Sequence, residues 1–412
     1  MQLKKWFGME GFRYSPWQFA IFRILLGTYL IWHFSLLVPY ASELFSNIGL
    51  VPDPTLQRTY SIFPNILNLM DSSTGATAFV SVLIVLSFCL LIGYRRRLVS
   101  ILLWFGWACL FNRNNFISNP GLPMIGWLLL AMAIIPEGEP LSKSKKQDEW
   151  AFPNELYWGA WLIVGIGYTI SGFHKFESPS WQDGTAIHRL LDNPLARDGM
   201  LRELMIATPL FVFKIKNYFS LALEMLFLPL IFFQRTRLVA WVAVIGMHFG
   251  ILTLVNFTDL TLGVVLFHLF TFDSRWIPAK KSVASPVLFF DGVCGLCNSV
   301  VDFIFSEDLR KKFKFSPLQG DLAKSSLPSE YHQNLSTLIV QTENGIVKKS
   351  KAVITIGDSL GGGWRIFSTM AKIVPTSIAD KIYDVIAKNR YRLFGKKETC
   401  RLPTAEEKSR FV

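Results

Sequence analysis

The sequence predicts two unlike parts in one chain: an α-helical polytopic membrane bundle of about eight spans, then a small C-terminal α/β domain. Three observations carry this. Long apolar runs fill the chain up to about Trp276, whereas from about Ser285 the composition is that of an ordinary soluble domain. Basic residues recur in alternate loops between those runs. Past the change in composition, a short apolar run, Val287 to Phe290, leads straight into Asp291-Gly-Val-Cys294-Gly-Leu-Cys297. The 412 residues, 51% of them hydrophobic, suffice for two or three domains, and a mean hydropathy of +0.34 averages over the two parts. The expected organisation is a transmembrane domain over 1–276, a polar, proline-bounded linker over 277–285, a domain over 286–402 and a tail over 403–412.

Candidate spans are 18–38, 76–93, 98–112, 122–136, 153–173, 217–233, 238–256 and 260–273. Several approach the roughly 20 residues that cross a hydrocarbon core; the third, fourth and eighth are short. Alternate loops carry Lys4/Lys5/Arg13, Arg95-Arg96-Arg97, Lys143/Lys145/Lys146, Arg235/Arg237 and Arg275/Lys280/Lys281. The intervening loops carry Arg58, Arg113, a mixed-charge segment from 174 to 214, and Asp259. Under the positive-inside rule both termini are expected in the cytoplasm, the bundle crossing the cell (inner) membrane. The first apolar segment is too long for a signal h-region and is expected to stay as an anchor. The net charge of +12, without a nucleic-acid motif, reads as membrane orientation and attraction to anionic lipid.

Ionisable residues inside spans are costly and tend to be functional. Arg23, near the inner end of the first span, is expected to snorkel. Glu224 and His248 lie at matching depth on adjacent spans, roughly 12 Å below the outer surface at ~1.5 Å per residue. They are expected to form a buried pair, with Lys175 at the mouth completing a proton-handling site. A lysine taken out of water yields a free amine that acts as a base, which a solvated surface lysine does not. The alternative is a structural hydrogen-bond network between helices. His33 and His268 read as helix-packing residues.

In the C-terminal part, Val287–Phe290 reads as a strand, Asp291 to Val293 as a tight turn, and Cys294 and Cys297 as the first turn of an amphipathic helix. Unpaired N–H groups and the positive dipole end there favour a thiolate at Cys294. Cys297, three residues on, shares that face and can close a disulfide. A Cys-x-x-Cys is also half a zinc site, with Cys400 and His332 as further candidates. No second Cys-x-x-Cys and no His-x₃₋₅-His accompanies it, so no metal is expected. Cys89 and Cys109 are isolated in apolar segments. Strands are expected at 286–290, 313–317 and 336–342, the last turning at Glu343-Asn344-Gly345 into 346–350. The basic run Lys388 to Lys397 reads as a solvated helix face, with anionic headgroups as its alternative contact.

Tyr168-Thr-Ile-Ser171-Gly172-Phe-His174-Lys175, followed by Trp181, resembles the signature of the vitamin K-dependent gamma-carboxylase-like (HTTM) membrane family. Phe22-Arg23, Asn112-Arg113-Asn114, Glu224 and His248 add to the likeness over roughly residues 10–275. The resemblance implies a quinone or hydroquinone ligand, Lys175 as the base that deprotonates it, and Tyr168, His174 and Trp181 as residues that contact it. From about 286 to 402 the chain looks like the DCC family of thiol-disulfide oxidoreductases, named for Asp-x-x-Cys-x-x-Cys. Asp291, Cys294 and Cys297 match, as do Phe315-Ser-Pro-Leu-Gln319, Ser350-Lys-Ala352, Gly361 to Trp364 and Ala387 to Gly395. That resemblance implies a thioredoxin-like fold. Cys294 is then the attacking thiolate, Cys297 the resolving thiol, and Asp291 a proton relay or the closing residue of the turn.

Together these readings give an integral membrane oxidoreductase that exchanges thiols with a donor or a protein disulfide and acts on a quinone-like lipid. The alternatives are a redox-regulated transporter, a carboxylase-like or epoxidase activity independent of the thiol pair, and a bare anchor for a protein-disulfide reductase.

Overall fold

The computed structural model describes residues 12–144, 150–280, 285–333, 337–399, 401, 403–404 and 407–412. They form two compact units, Met1–Phe272 and Asp273–Val412.

The principal helices of the first unit are α1 (Pro16–Leu37), α2 (Ser73–Leu91), α3 (Arg96–Arg113), α4 (Gly121–Ile134), α5 (Asn154–Phe176), α6 (Leu210–Met225), α7 (Phe227–Ile231), α8 (Gln234–Leu254) and α9 (Thr258–Phe270). Their starts follow local chemistry. Ser15 caps α1 by accepting from the backbone of Trp17 and Gln18, with Pro16 in the first turn, and Ser72 caps α2 through Gly75 N. Every expected span falls on helix, but only part of the set has the dimensions of a span. Pro16–Phe45, Ser73–Leu91, Asn154–Phe176 and Gln234–Leu254 are long and apolar enough to cross a membrane, while Gly121–Ile134 and Thr258–Phe270 are apolar but shorter.

The sixth segment is not one helix. It is interrupted at Leu226, between α6 and α7. Pro229 has no N–H to give the carbonyl of Met225, and Leu228 N–H turns aside to Thr169 Oγ1 at 3.1 Å.

Arg23 does not snorkel. It is fully buried, its Nε lying 3.0 Å from Glu139 Oε1, an oxygen that also meets Arg96 Nε at 3.1 Å. The carbonyls of Leu90, Leu91 and Leu141 accept from its remaining N–H groups. A guanidinium without water needs this many acceptors, and helix ends supply them. His33 also does more than pack: its Nδ1 lies 2.7 Å from Asp259, which accepts further from Tyr29 and Asn119.

The second unit is built on four strands: β1 (Val287–Phe290), β2 (Lys314–Pro317), β3 (Ile339–Thr342) and β4 (Gly345–Lys348). Their order is β2-β1-β3-β4, with β1 parallel to β2 and antiparallel to β3, and β3 antiparallel to β4. The first, second and last strands begin within one residue of the expected positions and the third starts three residues late, while Lys349 and Ser350, expected to continue the last strand, are helical. Glu343-Asn344 makes the two-residue turn, and Gly345 follows at φ +108°, which a side chain resists. Between and after the strands run α10 (Gly295–Glu307), α11 (Lys349–Leu360), α12 (Gly362–Ala371) and α13 (Thr376–Phe394). The strand period of two splits the core. Leu288, Phe290 and Val340 pack with Val301 and Ile304 of α10 and Ala352 and Ile356 of α11. Phe289 and Ile339 pack on the other face with Leu318, Ala323 and Leu327.

Candidate functional site

The dithiol sits where a buried strand hands over to a helix. β1 ends at Phe290, Cys294 N–H donates to Asp291 O at 3.2 Å to close the turn, and Cys294 becomes the N-cap of α10. Asn298 fixes the loop by donating from Nδ2 to Gly292 O at 3.1 Å. Cys294 and Cys297 are both free thiols, Cys294 fully buried and Cys297 half-buried. Burial pushes the Cys297 thiol up, the adjacent Cys294 sulfur and the charge of Asp291 adding to the shift against a backbone hydrogen bond at Asp291.

Asp291 is the hub beneath the pair and is 1% exposed. Its Oδ1 accepts from Gln319 Nε2 at 2.9 Å and from Val293 N at 3.2 Å. Its Oδ2 accepts from the Tyr391 hydroxyl and from Arg390 at 3.4 Å. Burial and the Asp291 carboxylate raise the Tyr391 phenol. So Asp291 both closes the turn and anchors α13 to the dithiol loop. Gln319, Arg390 and Tyr391 lie inside sequence stretches singled out above, yet sequence reasoning gave them no role; their only signal was repeated polarity next to a buried strand and helix.

A second covering was not expected. The chain after α13 runs back across the dithiol loop: Gly295 N donates to Gly395 O at 3.1 Å, Lys397 N to Val293 O at 2.8 Å and Arg401 N to Gly292 O at 3.1 Å. Cys294 pairs antiparallel with Lys396 in this bridge. The strap approaches so closely that a Cβ on Gly295 would meet Phe394 O at 2.1 Å. Arg401 pins it through Asp302 and Glu407. The strap lies against Cys294, which is fully buried. Cys400 and the His332 side chain lie outside the described residues.

A family model for DCC1-like thiol-disulfide oxidoreductases matches residues 288–396, from β1 to the first residues of the strap. The uncharacterized protein YuxK of Bacillus subtilis is 37% identical over 138 residues, 32% of this chain and 98% of that protein. The chain belongs to the DCC1-like thiol-disulfide oxidoreductase family. A chloroplastic DCC family protein of Arabidopsis thaliana is 29% identical over 119 residues, covering 28% of this chain and 69% of that relative. No solved structure matches the chain. Family membership assigns the DCC1-like unit a thiol redox role.

In the first unit the residues expected to form one proton-handling site fall into two groups instead. Glu224 does not pair with His248. It is 1% exposed and accepts from Lys175 Nζ at 2.5 Å and from Ser171 Oγ at 3.1 Å. The cause is a close helix approach: a Cβ on Gly172 would lie 2.5 Å from Met225 N, so only glycine lets α5 come this near the end of α6. Lys175 Nζ also lies 4.9 Å from the centre of the Trp181 ring. His248 Nε2 meets the Tyr168 hydroxyl at 2.7 Å, and His268 Nε2 meets the same hydroxyl at 2.9 Å. His268, read above as packing only, completes this second group. His174 is 77% exposed and lies 3.7 Å from Glu177. A cavity of about 490 Å³ is lined by Ser171, His174, Lys175 and Trp181, with Gly167, Ile170, Ser178 and Pro120. Tyr168, expected to contact a ligand, is turned to the two histidines instead.

Proposed function

We propose that the chain is an integral-membrane thiol-disulfide oxidoreductase of the protein-disulfide reductase type. The observation that carries the reading is the placement of two free thiols on the first turn of α10, Cys294 at the N-cap and Cys297 kept protonated by burial. Cys294 attacks a substrate disulfide, forming a mixed disulfide and releasing one substrate thiolate. Cys297 then loses its proton, attacks Cys294 Sγ and releases the second substrate thiol, leaving a Cys294–Cys297 disulfide. The substrate has gained two electrons, and an external dithiol donor returns them to the pair. Asp291, whose charge bears on the Cys297 thiol, takes up the proton that thiol loses. The strand order and directions support a thioredoxin-like reading of this domain.

Helical segments at the eight expected positions, the sixth of them interrupted, support an eight-span bundle, and the alternating basic loops support cytoplasmic termini in the inner membrane. Within the bundle, the resemblance to the HTTM family and the cavity beside Lys175 support a site for a quinone-like lipid. Its volume lies in the range of small-molecule pockets, about 300–1,000 Å³. There the Lys175–Glu224 ion pair presents a proton-handling group to the ligand. The interruption at Leu226 favours a second reading, a redox-regulated transporter, because broken helices line substrate paths in transporters.

The test uses the full chain in lipid bilayers, anaerobic, with the cysteine pair reduced. A model protein disulfide and menaquinone are offered separately, to wild type, Cys294→Ser and Lys175→Ala. Disulfide reduction lost only in Cys294→Ser supports the thiol assignment, and its persistence there refutes it. Quinol formation lost in both variants makes the two units one enzyme. Thiol-dependent tracer flux without quinol formation replaces the quinone reading by transport.

A further inference from the structure

Helix α13 has its polarity inverted relative to a solvated surface helix. Its polar residues are turned inward: Asp380 accepts from Ser350, Asp384 pairs with Lys349, the Tyr383 hydroxyl accepts from Leu338 N, and Arg390 and Tyr391 reach Asp291. Its outward stripe is apolar. Ile378, Ile382, Val385, Ile386 and Leu393 recur at helical spacing and are 44–62% exposed. Helix α12 and the turn after it extend the apolar surface with Phe367, Met370 and Ile373, at 52, 60 and 81% exposure. An exposed apolar surface of this extent marks an interaction site.

The charge beside the stripe selects the partner. Lys381, Lys388 and Arg392 stand at i, i+7 and i+11, one helical step around from the apolar residues. All three are exposed and make no ion pair among the described residues. An apolar stripe edged by unpaired cations is the pattern of a helix lying in a lipid interface, where each cation near an anionic leaflet adds to binding. A second copy of the same face would instead bring like charges together across a two-fold axis.

We infer that α12 and α13 form a docking face for an anionic phospholipid surface, with Ile378, Ile382, Val385, Ile386 and Leu393 entering the headgroup region and Lys381, Lys388 and Arg392 pairing with lipid phosphates. The inference rests on the reading of the first unit as embedded in the membrane, to which this unit is covalently joined. It revises the basic run of α13 from a solvated face to a lipid contact.

The experiment is lipid photocrosslinking on the full chain. Protein is reconstituted in vesicles of phosphatidylcholine with one quarter phosphatidylglycerol, the latter carrying a photoactivatable group near the headgroup, and adducts are mapped by peptide. Adducts are expected on 376–394 and on the spans at 16–37 and 234–254. Reversing Lys381, Lys388 and Arg392 to Glu is expected to cut the 376–394 adducts at least about tenfold while leaving the span adducts unchanged. Adducts on the spans but none on 376–394 overturn the inference alone; adducts on neither overturn the membrane reading. An undiminished yield after charge reversal overturns the assignment to an anionic surface, and protein–protein crosslinks at 376–394 in its place assign the face to a second copy.

Discussion

Arg401→Ala is expected to unmask Cys294. The strap is held over the dithiol loop by three backbone hydrogen bonds, from Gly295, Lys397 and Arg401 N–H groups, and by the two carboxylates that pin Arg401. At about 1 kcal/mol net per hydrogen bond, and about 0.5–1 kcal/mol for each partly exposed ion pair, closure is favoured by about 4–5 kcal/mol. With a tenfold change per about 1.4 kcal/mol, Cys294 is then open about one part in a thousand of the time. Removing the Arg401 side chain takes away both ion pairs, a loss of about 1–2 kcal/mol, so the open fraction rises about five- to thirtyfold. The assay is iodoacetamide alkylation of the full chain in a Cys297→Ser background, followed on the Cys294 peptide by mass spectrometry. Wild type should react about a thousandfold more slowly than an unprotected thiol, and Arg401→Ala should recover a factor of about five to thirty of that. A wild-type Cys294 that reacts at the free-thiol rate, or an Arg401→Ala rate equal to wild type, refutes the reasoning that the strap gates the sulfur.

Cys297→Ser should accumulate a mixed disulfide on Cys294 during reduction of a model disulfide, seen as a covalent adduct on non-reducing gels, whereas Cys294→Ser should form none. Gly172→Ala forces α5 away from Met225 and should cost about 1–3 kcal/mol, lowering the thermal midpoint in detergent, while Gly159→Ala, which meets nothing within 4 Å, should leave it unchanged or raised. Burial works to raise the Asp358 carboxyl, but Lys372 and Ser368 more than offset it and hold it below the usual range. A carboxyl lowered on folding stabilises fully above the ordinary carboxyl range and loses that contribution as pH falls through its folded value. The stability gap between wild type and Asp358→Asn in urea titrations should therefore be open at pH 6 and shrink toward pH 3. Lys175→Met should destabilise the first unit by leaving Glu224 buried without its partner, and Lys175→Met with Glu224→Leu should recover thermal stability; recovery without quinol turnover separates proton handling from support of the fold.

What the sequence made legible was local, and what it hid was a matter of azimuth or of distant backbone. The strands, the hairpin at Glu343-Asn344 and the cysteine turn are specified by residues within a few positions of one another, so period and turn chemistry located them. The apolar runs placed the helices, but run length alone could not show that Pro229 would break the sixth, although the proline itself was visible. The expected Glu224–His248 pair came from equal depth along two helices. Depth fixes height and leaves direction around the axis open; the close approach at Gly172 turns Glu224 to Lys175 instead. Tyr168, Ser171 and Lys175, at i, i+3 and i+7, already shared one face of α5, and following that face would have led to both polar groups. His268 carries no signal of its own, since nothing along its short helix distinguishes a ligand of Tyr168 from a packing residue. The strap is the hardest case. It meets the dithiol loop through main-chain groups about a hundred residues away in sequence, and a backbone hydrogen bond leaves almost no trace in residue identity. The one trace is Gly295, between the cysteines, where any Cβ would strike Phe394 O. A glycine inside a Cys-x-x-Cys turn reads first as a flexible turn residue, and only the fold shows that it makes room for another stretch of chain.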